Sequence, residues 1–201
     1  DGPTHHGVFD LAYMRTLPNM VVAAPMDEPE LRNMMYTAQL EGYGPFSIRY
    51  PRGCGTTVNW RNPFEKIEPG TSRQLSEGSD LAILTIGKPG VFAQRAVKKL
   101  LREGLTVAHF DMRFVKPLDE VRLHYIFREF PKIITIEEGT VTGGFGSAVA
   151  EFKSAHNYSS QLKIMGIPDR FIEHGTIEQL YKECGLDAES IFREALIMAG
   201  R

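Results

Sequence analysis

The segment Asp1-Gly2-Pro3-Thr4-His5-His6-Gly7-Val8-Phe9-Asp10 gathers carboxylates, a hydroxyl and two imidazoles around two glycines and a proline. Glycine and proline bend the chain sharply, so such a stretch presents its side chains as an active-site loop does. An imidazole titrates near neutrality and can give or take a proton, or donate to a developing alkoxide. His5 is the first candidate for that role. Asp1 could orient a substrate hydroxyl beside it. The plain alternative is a pair of exposed loop residues, and the surrounding glycines and proline weigh against it. Nothing in the spacing separates His6 from a solvent-facing side chain. A loop of this kind is held by elements on both sides, which makes the chain read as part of a longer protein.

Arg52 lies in Arg49-Tyr50-Pro51-Arg52-Gly53, just past the predicted C-terminal end of a strand. Open α/β sheets bind ligands at that edge. A guanidinium there, beside a glycine that permits close approach, suits a phosphate monoester gripped through two parallel hydrogen bonds. A surface arginine near a linker is the alternative. Arg49 reads as structural from its place in the strand.

The run Glu138-Gly139-Thr140-Val141-Thr142-Gly143-Gly144-Phe145-Gly146 joins a predicted strand to a predicted helix. It lacks the lysine of a P-loop and the glycine spacing of a dinucleotide fingerprint. Close packing of strand on helix explains it better than phosphate binding. Glu137 and Glu138 are adjacent, so a strand sends them to opposite faces, a poor arrangement for an acid–base pair. His109, His124, His156 and His174 show no metal-ligand spacing and read as structural or exposed.

The elements that must position these groups follow from periodicity. Met20–Ala24 reads as a buried strand stopped by Pro25. Asp27 with Glu30 is a capping-box-like start for a helix carrying Leu31, Met34, Met35 and Ala38, and Phe46, Ile48 and Tyr50 alternate as a strand. Strand, helix and strand with short connections predict a parallel βαβ unit. Residues 59–77 turn polar and are broken by Pro63, Pro69 and Gly70, which predicts a linker between domains at 1–58 and 78–201. The second domain reads as a strand at 81–86, the turn Gly87-Lys88-Pro89-Gly90, a helix, a strand at 105–110, a helix at 118–130, a strand at 133–136, a helix at 146–156, a strand at 162–167 and two closing helices, the last capped by Asp187. The expected class is α/β on a mostly parallel sheet.

A net charge of −2 over 201 residues gives no field for nucleic acid or an anionic membrane, so any phosphate-binding cation must act locally. Two distant cysteines, Cys54 and Cys184, make neither a disulfide framework nor a zinc site, which points to a reducing cytoplasm. No apolar run is long enough to span a bilayer.

With these residues in view, Asp1-Gly2-Pro3-Thr4-His5 resembles the pyrimidine-binding domain of the transketolase-like thiamine diphosphate enzymes. Asp1 to Asp10 with Tyr13, Arg15 and Pro18, and Arg49 to Gly53, are most similar to the 1-deoxy-D-xylulose-5-phosphate synthase branch. Phe114 with Lys116 to Asp119, Glu137 to Gly139, Gly143 to Ser147, Gly166 to Asp169 and Gly185 to Asp187 extend the likeness along the chain. The resemblance implies a partial pyrimidine-binding α/β domain followed by a transketolase C-terminal-like α/β domain. It implies joining of pyruvate to glyceraldehyde 3-phosphate with loss of carbon dioxide, and a homodimer. The product would feed isoprenoid, thiamine and pyridoxal synthesis. By the same resemblance Arg52 grips the acceptor's phosphate, while Asp1 and His5 contact its hydroxyl and the reacting carbonyl oxygens. The main binding groups for thiamine diphosphate and Mg2+, and the glutamate that activates the cofactor, are expected outside these residues. A transketolase proper, a 2-oxo-acid dehydrogenase β-subunit and a non-catalytic assembly module are the competing readings.

Overall fold

The computed structural model describes residues 2–55 and 61–201. Its elements are α1 (Asp10–Met14), β1 (Val21–Ala23), α2 (Glu28–Thr37), β2 (Phe46–Ile48), β3 (Arg73–Ser76), β4 (Leu81–Thr85), α3 (Pro89–Arg102), β5 (Val107–Asp111), β6 (Phe114–Lys116), α4 (Glu120–Glu129), β7 (Lys132–Thr140), α5 (Phe145–Ala155), β8 (Gln161–Ile167), α6 (Ile177–Glu183) and α7 (Ala188–Ala199). They form a sheet of order β2-β1-β6 and a larger one of order β3-β5-β4-β7-β8.

The small sheet contains the expected parallel pair, with Val21 opposite Phe46 and Ala23 opposite Ile48. Asp27 starts α2 as anticipated, its carboxylate accepting from the Glu30 N–H at 3.0 Å, with Pro29 in the first turn where no N–H is missed. The third strand comes from far along the chain: β6 runs antiparallel to β1 and drops Phe114 among Val21, Ala23 and Met34.

In the larger sheet β4, β5, β7 and β8 are mutually parallel. Alternation along the strands divides the core into two layers. Ala82, Leu84, Phe110 and Ile133 pack with Leu123 and Phe127 of α4 and with Phe145 and Val149 of α5. Leu81, Ile83, Val107 and Ile134 pack on the other side with Ala93 and Leu100 of α3 and with Ile191 and Ala195 of α7. Leu11 of α1 and Val22 of β1 join the first layer, so the two sheets share one apolar mass.

Three local expectations differ from what is found. Pro89 and Gly90 form the first turn of α3 and not a separate loop. The strand read at 133–136 runs on to Thr140, which places Glu137, Glu138 and Gly139 inside β7. Residues 73–76, read as part of the linker, form β3, antiparallel to β5. Their polarity hid them, because Arg73 is neutralised inside the fold rather than solvated. The expected boundary at 58–59 lies outside the described residues.

That neutralisation fastens the halves together. Arg73 meets Asp111 at 2.9 Å, Glu30 at 3.0 Å and Asp27 at 3.3 Å, and Arg113 grips both Glu30 oxygens at 2.7 and 2.9 Å. Glu30 and Asp111 are buried, and burial pushes the Asp111 carboxyl up to about 6 against the pull of Arg73. Breaking such a set by deleting one member strands buried charge. Replacing Glu30 by Ala is therefore expected to cost about 3–5 kcal/mol in urea unfolding, and a loss below about 1 kcal/mol would show that the cluster behaves as a solvated surface pair.

Candidate active-site cavity

A cavity of about 630 Å³ opens between the halves. Its walls are the loop before α1, residues 49–53 after β2, Glu138 near the end of β7, Ile167 at the end of β8, and the segment from Arg170 into α6. It thus lies beyond the C-terminal ends of β2 in the small sheet and of the parallel pair β7 and β8 in the larger one, where connections leave room for a ligand.

His5 and Arg52 both line this cavity, and both are exposed. The loop carrying His5 is turned at Gly2 and Gly7, whose φ values of +88° and +67° lie in the left-handed region that favours glycine. The Thr4 hydroxyl stands 2.9 Å from His5 Nδ1, a contact in which the imidazole tautomer decides which atom donates. Asp1 lies outside the described residues.

His6, which spacing could not distinguish from a solvent-facing residue, donates from Nε2 to the Ile172 carbonyl at 3.0 Å. Together with the Thr140 N–H donating to Val8 O at 2.9 Å, it ties the loop to the second half of the chain. His174, read as structural or exposed, also lines the cavity, as does Cys184. His109 is buried against Thr85 Oγ1 at 2.9 Å, and burial with the Arg73 charge pushes it down to about 4.

Beneath the mouth lies a charged cluster that sequence reasoning missed. Arg49 Nη1 donates to Glu138 Oε2 at 2.7 Å, and Arg49 Nε stands 3.6 Å from Asp10 Oδ2. The arginine side chain is only 9% exposed. Burial alone would lower its pKa, but Glu138 and then Asp10 more than offset that, and the guanidinium is held charged. Burial outweighs Arg49 at Asp10, whose carboxyl is raised. Tyr181 of α6 is raised by burial and by the neighbouring Glu138 carboxylate. The available signal was an arginine at a strand end and an acid pair far away, with no local pattern joining them.

Glu137 points the other way, as the strand pleat requires, and is wholly buried. Its two oxygens accept from the Phe145 and Gly146 N–H groups at 2.8 Å each. A side chain thus occupies the anion position of the glycine-rich turn, and close packing is the turn's role. A Cβ on Gly144 would collide with that carboxylate.

Burial pushes Glu137 up to about 7 from 4.5, against those two N–H bonds. The folded state therefore holds an extra proton between these values, and its stability falls as pH rises through that window. Glu137→Gln should lower stability by about 1–3 kcal/mol, because its amide NH2 faces a backbone N–H. The variant should also lack that downward slope between about pH 5 and 7. Thermal unfolding across that range is the measurement, and parallel profiles for the two proteins would refute the assignment.

Comparison with known proteins adds to this geometry. Residues 1–56 match the family model of the transketolase pyrimidine binding domain, and residues 70–191 that of the transketolase C-terminal domain. The 1-deoxy-D-xylulose-5-phosphate synthase of Cytophaga hutchinsonii is 56% identical over 201 residues, covering all of this chain and 32% of its own length. The enzyme of that name from Aquifex aeolicus is 49% identical over 191 residues, covering 95% and 30%. The chain thus spans about a third of the length of the curated relatives it matches. A solved structure described as a split gene transketolase, inactive beta4 tetramer, superposes with a TM-score of 0.89 at 34% identity. That match covers 99% of this chain and 64% of the other.

Proposed function

The chain belongs to the transketolase family, and from that premise we propose that it supplies the acceptor side of a thiamine diphosphate-dependent carboligation. In this reading pyruvate and glyceraldehyde 3-phosphate give 1-deoxy-D-xylulose 5-phosphate and carbon dioxide, a step toward isoprenoid precursors, thiamine and pyridoxal. One observation carries it: His5 and Arg52, from segments distant in sequence, line a single cavity at the carboxyl edge of the strands. Arg52 holds the acceptor's phosphate through its planar fork. His5 donates to the oxygen on which negative charge gathers as the aldehyde is attacked. Asp1 takes the acceptor's hydroxyl.

Thiamine diphosphate, when bound, supplies the carbon nucleophile that takes up pyruvate. In this reading Mg2+ and the diphosphate are held by residues outside this chain; among the described residues no three His, Cys, Asp or Glu side chains are grouped to hold a metal ion. The wider reading is a homodimeric cytoplasmic enzyme in which residues 1–58 complete a pyrimidine-binding domain, 59–77 link, and 78–201 form the C-terminal domain. Among the described residues no helix is long and apolar enough to cross a membrane.

A second reading, an assembly module without activity of its own, draws on the fold neighbour described as an inactive tetramer. The two meet in one expectation: residues 1–201 alone will form no product from pyruvate and the aldehyde at saturating thiamine diphosphate and Mg2+, measured by carbon dioxide release. Turnover by this chain would overturn it. In the full-length protein, Arg52→Ala should raise KM for glyceraldehyde 3-phosphate by about tenfold or more, the worth of a charge-assisted bond. KM for pyruvate should move less than about twofold. Equal changes in both would remove the phosphate role.

A further inference from the structure

We infer that Glu138, acting through Arg49, is a positioning residue that sets how Arg52 faces the acceptor's phosphate. The inference rests on the acceptor reading of the cavity above and extends it to a side chain of the second half of the chain. Glu138 stands on β7 between Ile136, which pairs with Thr85 of β4 and Met165 of β8, and Thr140, which pairs with Ile167, in the stretch where the β8 register shifts. Its backbone is thus held on both flanks.

Arg49 is the side chain that this carboxylate holds. Its N–H donates to Ala23 O at 2.8 Å, one residue past the end of β2, so its backbone is the place from which Tyr50-Pro51-Arg52 leaves the sheet. Its side chain also stands beside Asp10, the first residue of α1, at the end of the loop that carries His5. One guanidinium thus lies between the two segments that bring His5 and Arg52 to the cavity. Glu138 holds it from below.

The alternative partner is weak. Asp10 is 3.6 Å away against 2.7 Å for Glu138, and only the Glu138 contact is a hydrogen bond of good geometry. A buried guanidinium deprived of its main carboxylate must find water or another anion. The nearest open space is the cavity that Arg49 itself lines. With Arg49 released toward that space, the exit of the 50–53 segment from the sheet would lose its anchor and the Arg52 fork its placement against the acceptor's phosphate.

The test uses the full-length protein with its cofactor, and two acceptors: glyceraldehyde 3-phosphate and glyceraldehyde without phosphate. Glu138→Gln keeps the shape and removes the charge; Arg49→Lys keeps the charge and removes the fork. Each should raise KM for the phosphorylated acceptor about tenfold more than KM for glyceraldehyde. The double variant Glu138→Gln with Arg52→Ala should bind the phosphorylated acceptor no more weakly than Arg52→Ala alone. A merely structural role would lower the melting temperature and shift both acceptors alike, which overturns the inference. Where Arg52→Ala selectively weakens the phosphorylated acceptor and neither Glu138→Gln nor Arg49→Lys does, the inference falls and the acceptor reading stands. Where Arg52→Ala is itself without selective effect, the acceptor reading falls and takes this one with it.

Discussion

The direction of two consecutive carboxylates on β7 governs the molecule, because Glu137 and Glu138 face opposite sides of it where its pairing with β8 shifts register. Glu137 goes inward and accepts the first N–H groups of α5, satisfying donors that a helix start leaves unpaired. Glu138 goes toward the cavity and takes the buried guanidinium of Arg49. One acid therefore fixes a helix of the larger layer while its neighbour fixes the junction. A slip of register by one residue would exchange them and strand both charges. The glycines follow from the same demand, since side chains at Gly139 or Gly144 would intrude on the Glu137 carboxylate.

The junction between the sheets applies the same logic on a larger scale. Glu30 leaves α2 to meet Arg73 from β3 and Arg113 from the turn before β6, and Asp111 at the end of β5 closes the group. Buried ionic groups are weak sources of net stability and stronger sources of register, since each charge accepts few alternative neighbours. Here the register matters to the site. Placing β6 against β1 fixes the strand pair whose far end delivers Arg49 and Arg52.

Much of this was legible in the chain. Pro25, the Asp27 cap and the alternation from Phe46 gave the parallel βαβ unit. Apolar runs at 81–86 and 133–136 gave two strands of the larger sheet. What stayed hidden shares a physical cause. The helix α1 has no side-chain cap at Phe9, and β3 is polar because its arginine is paired within the fold. β6 is three residues long and finds its partner in β1, far away in sequence. Local periodicity reports local constraint, and these elements exist through tertiary contacts. The same holds in the cavity: His5 and Arg52 announced themselves by loop chemistry, while Arg49, Glu138 and Asp10 acquire meaning only once folding joins them.

The cavity then shows a division of labour between charges. His5 and Arg52 are exposed, where a hydrated side chain can approach and leave a ligand at small desolvation cost. Arg49 and Glu138 are largely removed from water, where an ion pair is stronger and its geometry more closely fixed. Recognition at a hydrated mouth is imprecise unless the backbone behind it is held. The backbone behind Arg52 is held by a pair in a low-dielectric layer, and the loop behind His5 by the Thr140 N–H and the Ile172 carbonyl. Each of these restraints comes from beyond residue 130. The second half of the chain is accordingly one wall of the cavity and the frame for both of the groups that face it.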